Sequence, residues 1–328
     1  VRFGGRAFLI DTGMLSEVYG GKPSALEIVD GVFTAIYADR REELWTFSRT
    51  AELAVEGVTI AETALPAPGM PPWRWPGPEG EPLPFRGPEE LEDFLRTAEI
   101  VSHETIDQGL NRPLKVVLER DGVRAHAVFR TVAVDERAKQ GPEGRFYRNF
   151  RDSYQFEPAA YELGRTLGLD RIPPAVPRVY RGKQGSLQAW VEQAMTEARR
   201  LEQKLHPPDA LSWARQQVER QVFDALINNH DRNTGNELID RHWTIWLIDH
   251  TRGFQTEYGD ERIEELRRIT PELWSALRSV ERARVRTMLQ PFLRPIELDA
   301  LFARWDQIVL RFRTLIAEHG ADNILLRF

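Results

Sequence analysis

Short apolar and alternating runs dominate the first sixty residues, with segments 7–10, 25–29, 32–37 and 43–47 separated by Gly, Asp and Lys. They predict a small β-rich segment over residues 1–63. Residues 64–88 then hold nine of the chain's 21 prolines, among them Trp73 and Trp75, and read as an extended linker. Pro88, Glu89 and Glu90 open a short helix, with proline and acids in its first turn. From 98 to 134 the pattern returns to three β-segments, two of them flanking the turn Asp121-Gly122.

The period then lengthens. Phe156, Ala159, Ala160, Leu163 and Leu167 fall on one face of a helix, with Pro158 tolerated in the first turn. Glu157 and Glu162 flank that stripe on opposite sides, each about 100 to 120 degrees away, so periodicity does not choose between them. Prolines extend 172–177, and 185–192 reads as a strand leaving a turn and leading to an interlobe hinge. Beyond Pro208, Asp209 is an N-cap for a helix whose positions Leu211, Ala214, Val218, Val222 and Leu226 face one way. Segments 273–293 and 298–319 are helical in period, the second with Leu298, Leu301, Phe302 and Trp305 as a core stripe and Gly320 as its stop.

The pattern implies an α+β chain in two lobes, a β-rich small lobe over 89–188 and a mostly helical large lobe over 189–328. Its length of 328 residues is enough for about two domains. A net charge of −6 argues against a nucleic-acid binder. The absence of cysteine excludes disulfides, thiol catalysis and Cys-ligated zinc. No apolar run approaches the length of a membrane span, and the expected protein is soluble and cytoplasmic. Because the chain begins with Val and enters a strand-like pattern directly, sequence upstream of it is expected.

The chemistry concentrates in DALINNHDRNTGNELIDRHWTIWLIDHTRGF, residues 224–254. Asp231 stands five residues before Asn236, and an apolar hairpin carries the chain to Asp249. Phosphoryl transfer uses such a set: one carboxylate orients the attacking hydroxyl, while an amide and a second carboxylate hold magnesium on the nucleotide phosphates. A tight turn near Arg241-His242 would leave Asp249 within about two ladder positions of Asn236. Gly109 is the only glycine where a phosphate-covering loop would fall, and neither G-x-G-x-x-G nor a Walker P-loop occurs, which argues against ordinary protein kinases and P-loop ATPases. His250 reads as a hydrogen-bonding neighbour of Asp249.

FRDSYQFEPAAYELGRTLGLDRIPPAVPRV, NNHDRNTGN and LIDHTRGF together resemble the atypical kinases related to the secretory-pathway (Golgi) protein and glycan kinases, and more distantly HipA-type and phosphatidylinositol kinases. The resemblance implies a bilobal kinase-like fold using ATP with Mg²⁺ or Mn²⁺. It implies Asp231 as the catalytic-loop aspartate, Asn236 and Asp249 as metal ligands, and Glu157, rather than Glu162, as the helix C acid. Val191 and Glu192 fall at the adenine-contacting hinge. The chain departs at Arg130, which stands where these kinases carry the lysine that binds the α- and β-phosphates; Arg and Lys are not interchangeable at such a site. Lys115, on the neighbouring strand, is an alternative source of an ammonium. RFGGRAFLIDTGM and YGGKPSALEI resemble the closing strands of bacterial calcineurin-like metallophosphoesterases, which implies a linked upstream phosphoesterase domain and no phosphatase site here.

Three functions follow as expectations. The first is a kinase moving the γ-phosphate to a hydroxyl of a protein, glycan, lipid or small molecule. The second is a nucleotide-holding pseudokinase or regulatory module, for which Arg130 is the motive. The third is an AMP transferase on the same scaffold.

Overall fold

The computed structural model describes residues 75–106, 112–140, 146–229, 231–256 and 261–326, together with the backbone of seven short strands before residue 60. The chain divides into two compact units, Val1–Trp73 and Arg74–Phe328. In the first, β1 (Arg2–Phe3) pairs with β2 (Arg6–Ala7). A three-stranded meander joins β3 (Ala25–Val29), β4 (Val32–Ile36) and β5 (Arg41–Thr46), and β6 (Ala54–Val55) pairs with β7 (Val58–Thr59).

The second unit opens on the proline-rich stretch. Trp75 and Leu83 are buried there, and the Trp75 indole N–H donates to the Trp190 carbonyl at 3.1 Å. Helix α1 (Pro88–Thr97) follows, with Leu91, Phe94 and Leu95 buried. Its last carbonyls accept from the Arg178 guanidinium, at 3.0 Å for Leu95 and 2.6 Å for Ala98, which satisfies groups that a helix end leaves open.

Strands β8 (Glu99–Thr105), β9 (Leu114–Arg120) and β10 (Val123–Arg130) form the antiparallel run expected from 98 to 134. Asp121 and Gly122 both take positive φ, 52° and 76°, as a two-residue hairpin turn matching strand twist requires. The ribbon β11 (Ala133–Gln140) and β12 (Phe146–Ser153) comes next, then α2 (Phe156–Thr166). Strands β13 (Ala175–Tyr180) and β14 (Lys183–Ala189) complete the five-stranded sheet in the order β13-β14-β10-β9-β8. Both α1 and α2 pack against this sheet, so the small lobe holds the short helix from Pro88 as well as α2.

The large lobe begins with β15 (Met195–Thr196), α3 (Glu197–Glu202) and α4 (Ala210–Ile227). Asp209 accepts hydrogen bonds from the Leu211 and Ser212 amides and so caps α4. The burial of α4 differs from its predicted stripe. Leu211 and Ala214 are exposed, and burial starts at Glu219, because the first turns meet their neighbours through Trp213 and Gln216 instead, against Trp243 and the Ile245 amide. Strands β16 (Glu237–Ile239) and β17 (Ile245–Leu247) form the expected hairpin, closed by Asp240, whose carboxylate accepts from the His242 and Thr244 amides. Helices α5 (Glu261–Glu265), α6 (Pro271–Ser279), α7 (Arg282–Leu289), α8 (Pro295–His319) and α9 (Ala321–Ile324) finish the chain. The helical period of 273–293 is therefore two helices, broken at the extended Val280. The apolar face of α2 enters the same buried cluster as Phe223, Leu247, Phe254, Leu301 and Trp305. That shared core fixes α2 against the large lobe.

Candidate active site

Arg130 ends β10. On a strand, alternate residues share a face, so His126, Val128 and Arg130 line one side of the sheet while Ala127 and Phe129 line the other. Arg130 is 8% exposed and faces the first turn of α2, where its Nε lies 3.6 Å from Glu157 Oε1. Gln188 joins them, accepting from Arg130 Nη1 at 3.2 Å and donating from Nε2 to Glu157 Oε2 at 3.3 Å. Glu157 is fully buried, whereas Glu162 is half-buried and bonded to Arg165. Burial alone would raise the Glu157 carboxyl, but the Arg130 charge and hydrogen bonds from His250 outweigh it and hold the group below the usual carboxylate range.

His250 connects this pair to the segment that carries Asp249. Its backbone N–H donates to Glu157 Oε1 at 3.0 Å, and its ring Nδ1 lies 3.3 Å from Oε2. Arg232 Nη2 lies 3.1 Å from the ring Nε2. A guanidinium only donates, so Nε2 accepts and Nδ1 carries the proton toward Glu157. The ring thus bonds Glu157 and Arg232, a different role from the neighbour of Asp249 expected from sequence.

Asp249 precedes His250 in the left-handed region, with φ of 56°. Asp tolerates this conformation better than most residues, and it turns the next amide toward Glu157. The Asp249 carboxylate accepts from Thr251 Oγ1 at 3.2 Å. Pairing of Glu237 with Leu247 continues one step, the Ile248 amide donating to the Asn236 carbonyl at 3.2 Å. Asn236 therefore stands opposite Ile248, one residue from Asp249.

The loop from α4 delivers Asp231. Asn228 ends α4 in the left-handed region, a conformation Asn adopts readily at a helix C-terminus. Asn229 then bonds Asp224 and accepts from the Asp231 amide. The Asp231 carbonyl accepts from Asn233 and Asn236 side chains at 3.0 and 2.9 Å, which folds the loop onto itself. Buried Arg232 ties the loop down: it donates to Asp224 at 3.0 Å, the Asn236 carbonyl at 2.6 Å and the Ile248 carbonyl at 2.8 Å. Partial burial and the nearby Asp249 and Asp152 charges push the Asp231 carboxyl up, and Arg252, 3.2 Å from Asp231 Oδ2, opposes them.

The remaining sequence candidates are Lys115, Val191, Glu192 and Gly109. Lys115 pairs in register with Val128 and so shares the sheet face of Arg130, and its Nζ sits 4.7 Å from the Trp190 ring centroid and 3.9 Å from Glu104. Val191 is buried just past β14, and Glu192 Oε1 lies 2.7 Å from His126 Nδ1. Gly109 lies outside the described residues. Sequence reasoning did not single out Gln188, Asp152 or Arg252, nor the anchoring by Arg232. The arginines after Asp231 and Asp249 were the available signal; for Gln188 and Asp152 there was none.

No family model matches the chain, and no curated protein matches it. Solved structures do. The Fam20 protein of hydra, determined with sugar, is 16% identical with a TM-score of 0.54, and the match covers 72% of this chain and 91% of that one. The Golgi casein kinase is 16% identical with a TM-score of 0.53, covering 73% of this chain and 77% of that one. The Golgi casein kinase with Mn/ADP bound matches at a TM-score of 0.50, 16% identical, covering 73% and 78%. The fold is the bilobal atypical-kinase fold of these Golgi kinases. The phosphoesterase resemblance of the N-terminal strands gains no support from the comparisons.

Proposed function

We propose that the chain is an ATP-dependent kinase that transfers the γ-phosphate to a hydroxyl, with Asp231 orienting that hydroxyl and Asn236 and Asp249 holding Mg²⁺ or Mn²⁺. The observation that carries this reading is the continuity of the site. One hydrogen-bonded path runs from Arg130 through Gln188 and Glu157 to His250, the residue after Asp249, and the hairpin sets Asn236 beside Asp249. The kinase fold supports the same reading, as does the Mn/ADP bound to the Golgi casein kinase of like fold.

The donor set fits a hard cation. Asn236 commits its Nδ2 to the Asp231 carbonyl, which leaves its amide oxygen for a ligand, and Asp249 adds carboxylate oxygens; such donors suit Mg²⁺ or Mn²⁺. Among the described residues no three His, Asp or Glu gather as a ready cage. The bound cation would neutralise charge developing on the phosphates. Arg130 would contribute a second positive charge, held in place by Glu157 and Gln188. Val191 and Glu192 would border the nucleobase. Lys115 would act near the base end of the cleft, since its ammonium rests on Trp190.

Arg130 also supports a second reading, a pseudokinase that holds nucleotide without turnover. Incubation with γ- and α-labelled ATP separates the readings. Kinase activity labels the acceptor from γ alone, AMP transfer labels it from α alone, and a pseudokinase binds metal and ATP without either product. Loss of labelling in Asp249→Ala protein is the expected control. If wild type and that variant behave alike, and neither binds ATP in a metal-dependent way, the kinase reading fails.

A further inference from the structure

Arg252 lies three residues beyond Asp249, in the segment that leaves β17. Its Nε donates to Oδ2 of Asp152 at 2.9 Å, and its Nη1 stands 3.2 Å from Oδ2 of Asp231. Asp152 is 2% exposed and belongs to β12, while Asp231 belongs to the loop after α4. One guanidinium therefore joins three segments far apart in sequence. The backbone reinforces that junction: the Ser153 amide donates to the Thr251 carbonyl at 2.8 Å, and the Gln255 side chain bonds the Arg151 carbonyl and amide at 2.6 and 3.2 Å.

The contrast with the other arginines is informative. Arg232 holds the catalytic loop through Asp224 and backbone carbonyls, at the root of the loop. Among the described residues no hydrogen bond holds Oδ1 of the half-buried Asp231, so its carboxylate orientation depends on what meets Oδ2. Arg252 meets it. Its planar fork bridges the two carboxylates through one oxygen of each, a span that a lysine's single ammonium reproduces less well.

We propose that Arg252 is a positioning residue that orients the Asp231 carboxylate toward the acceptor hydroxyl, with Asp152 as its fixed anchor. The proposal rests on the kinase reading for its consequence but not for its geometry. The buried end of the guanidinium is set by β12, so the angle of Asp231 is inherited from the small-lobe ribbon. Displacing a group that prepares the attack by about an ångström lowers turnover about a hundredfold. The nucleotide is held by other residues, Arg130 and Glu157 among them, and its affinity is unaffected.

The test compares Arg252→Ala, Arg252→Lys, Asp152→Asn and the double variant Arg252→Ala/Asp152→Asn, each checked by circular dichroism and metal-dependent ADP binding. For Arg252→Ala, kcat is expected to fall about a hundredfold with KM for ATP within about threefold of wild type. Arg252→Lys recovers about tenfold of that loss, and Asp152→Asn adds little to Arg252→Ala because both act through one contact. Unchanged kcat in folded Arg252→Ala protein overturns the proposal. So does a rise in KM for ATP that matches the fall in kcat/KM, which would make Arg252 a nucleotide contact. A thermal-unfolding cycle of Arg252→Ala, Asp231→Asn and their combination needs no turnover. Non-additivity of about 2 °C or more supports the contact, and strict additivity overturns it. Wild-type protein that transfers no phosphate sinks the kinase reading, and the cycle still judges the Arg252–Asp231 contact.

Discussion

Burying a carboxylate as completely as Glu157 is unfavourable unless charge and hydrogen bonds replace the lost water, and here Arg130, Gln188 and His250 do so. The resulting pKa lies below the ordinary value of 4.5. Folding therefore favours the ionised form, and this stabilisation is complete above that ordinary value and is lost as pH falls through the lower folded value. Melting temperatures measured from about pH 7 down to about pH 3 are expected to fall less for Glu157→Gln than for wild type. Glu157→Ala at neutral pH leaves Arg130 without its buried acid and should cost about 3 to 5 kcal/mol in denaturant unfolding. At Arg130 the expectation separates charge from shape. On the proposed kinase reading, Arg130→Lys keeps the charge facing Glu157 but loses the guanidinium bond to Gln188 and should raise KM for ATP less than Arg130→Ala, for which about ten- to a hundredfold is expected in steady-state assays.

Elements were legible where one face carries the signal. The stripe of α2, the hairpin turn at Asp121-Gly122 and the cap at Asp209 all follow from local patterns, and each is where the sequence reading put it. Glu157 could not be distinguished from Glu162 by periodicity, because its burial is imposed by β10 and by His250, residues remote in sequence. Resemblance, not pattern, selected it. Gln188, Asp152 and Arg252 were illegible for the same reason: each is defined by a partner on another element. The first turns of α4 show the opposite failure, since the stripe is covered at Val222 and Leu226 but its first members Leu211 and Ala214 stay exposed while Trp213 makes the contact. Asp209 lies far along α4 from the loop bearing Asp231, so Asp209→Ala should lower stability by about 1 kcal/mol in thermal unfolding while leaving KM for ATP unchanged.

At the scale of the whole molecule, the boundary at Trp73 and Arg74 makes a direct prediction. A fragment starting at residue 74 is expected to fold and to bind ATP with metal. A fragment starting at residue 88 loses buried Trp75 and Leu83 and should be less stable by at least about 3 kcal/mol, as large core deletions are. Urea unfolding of the two fragments checks both statements. Among the described residues no helix is long and apolar enough to cross a membrane. The indole of Trp75 also stands edge-on to Trp246, with ring centroids 5.1 Å apart. Its N–H occupies the Trp190 carbonyl, one residue before Val191. An inhibitor scaffold that draws affinity from donating to that carbonyl would have to displace a buried tryptophan first. On the kinase reading proposed above, compounds suited to this site would therefore be sought among those that do not ask for that contact.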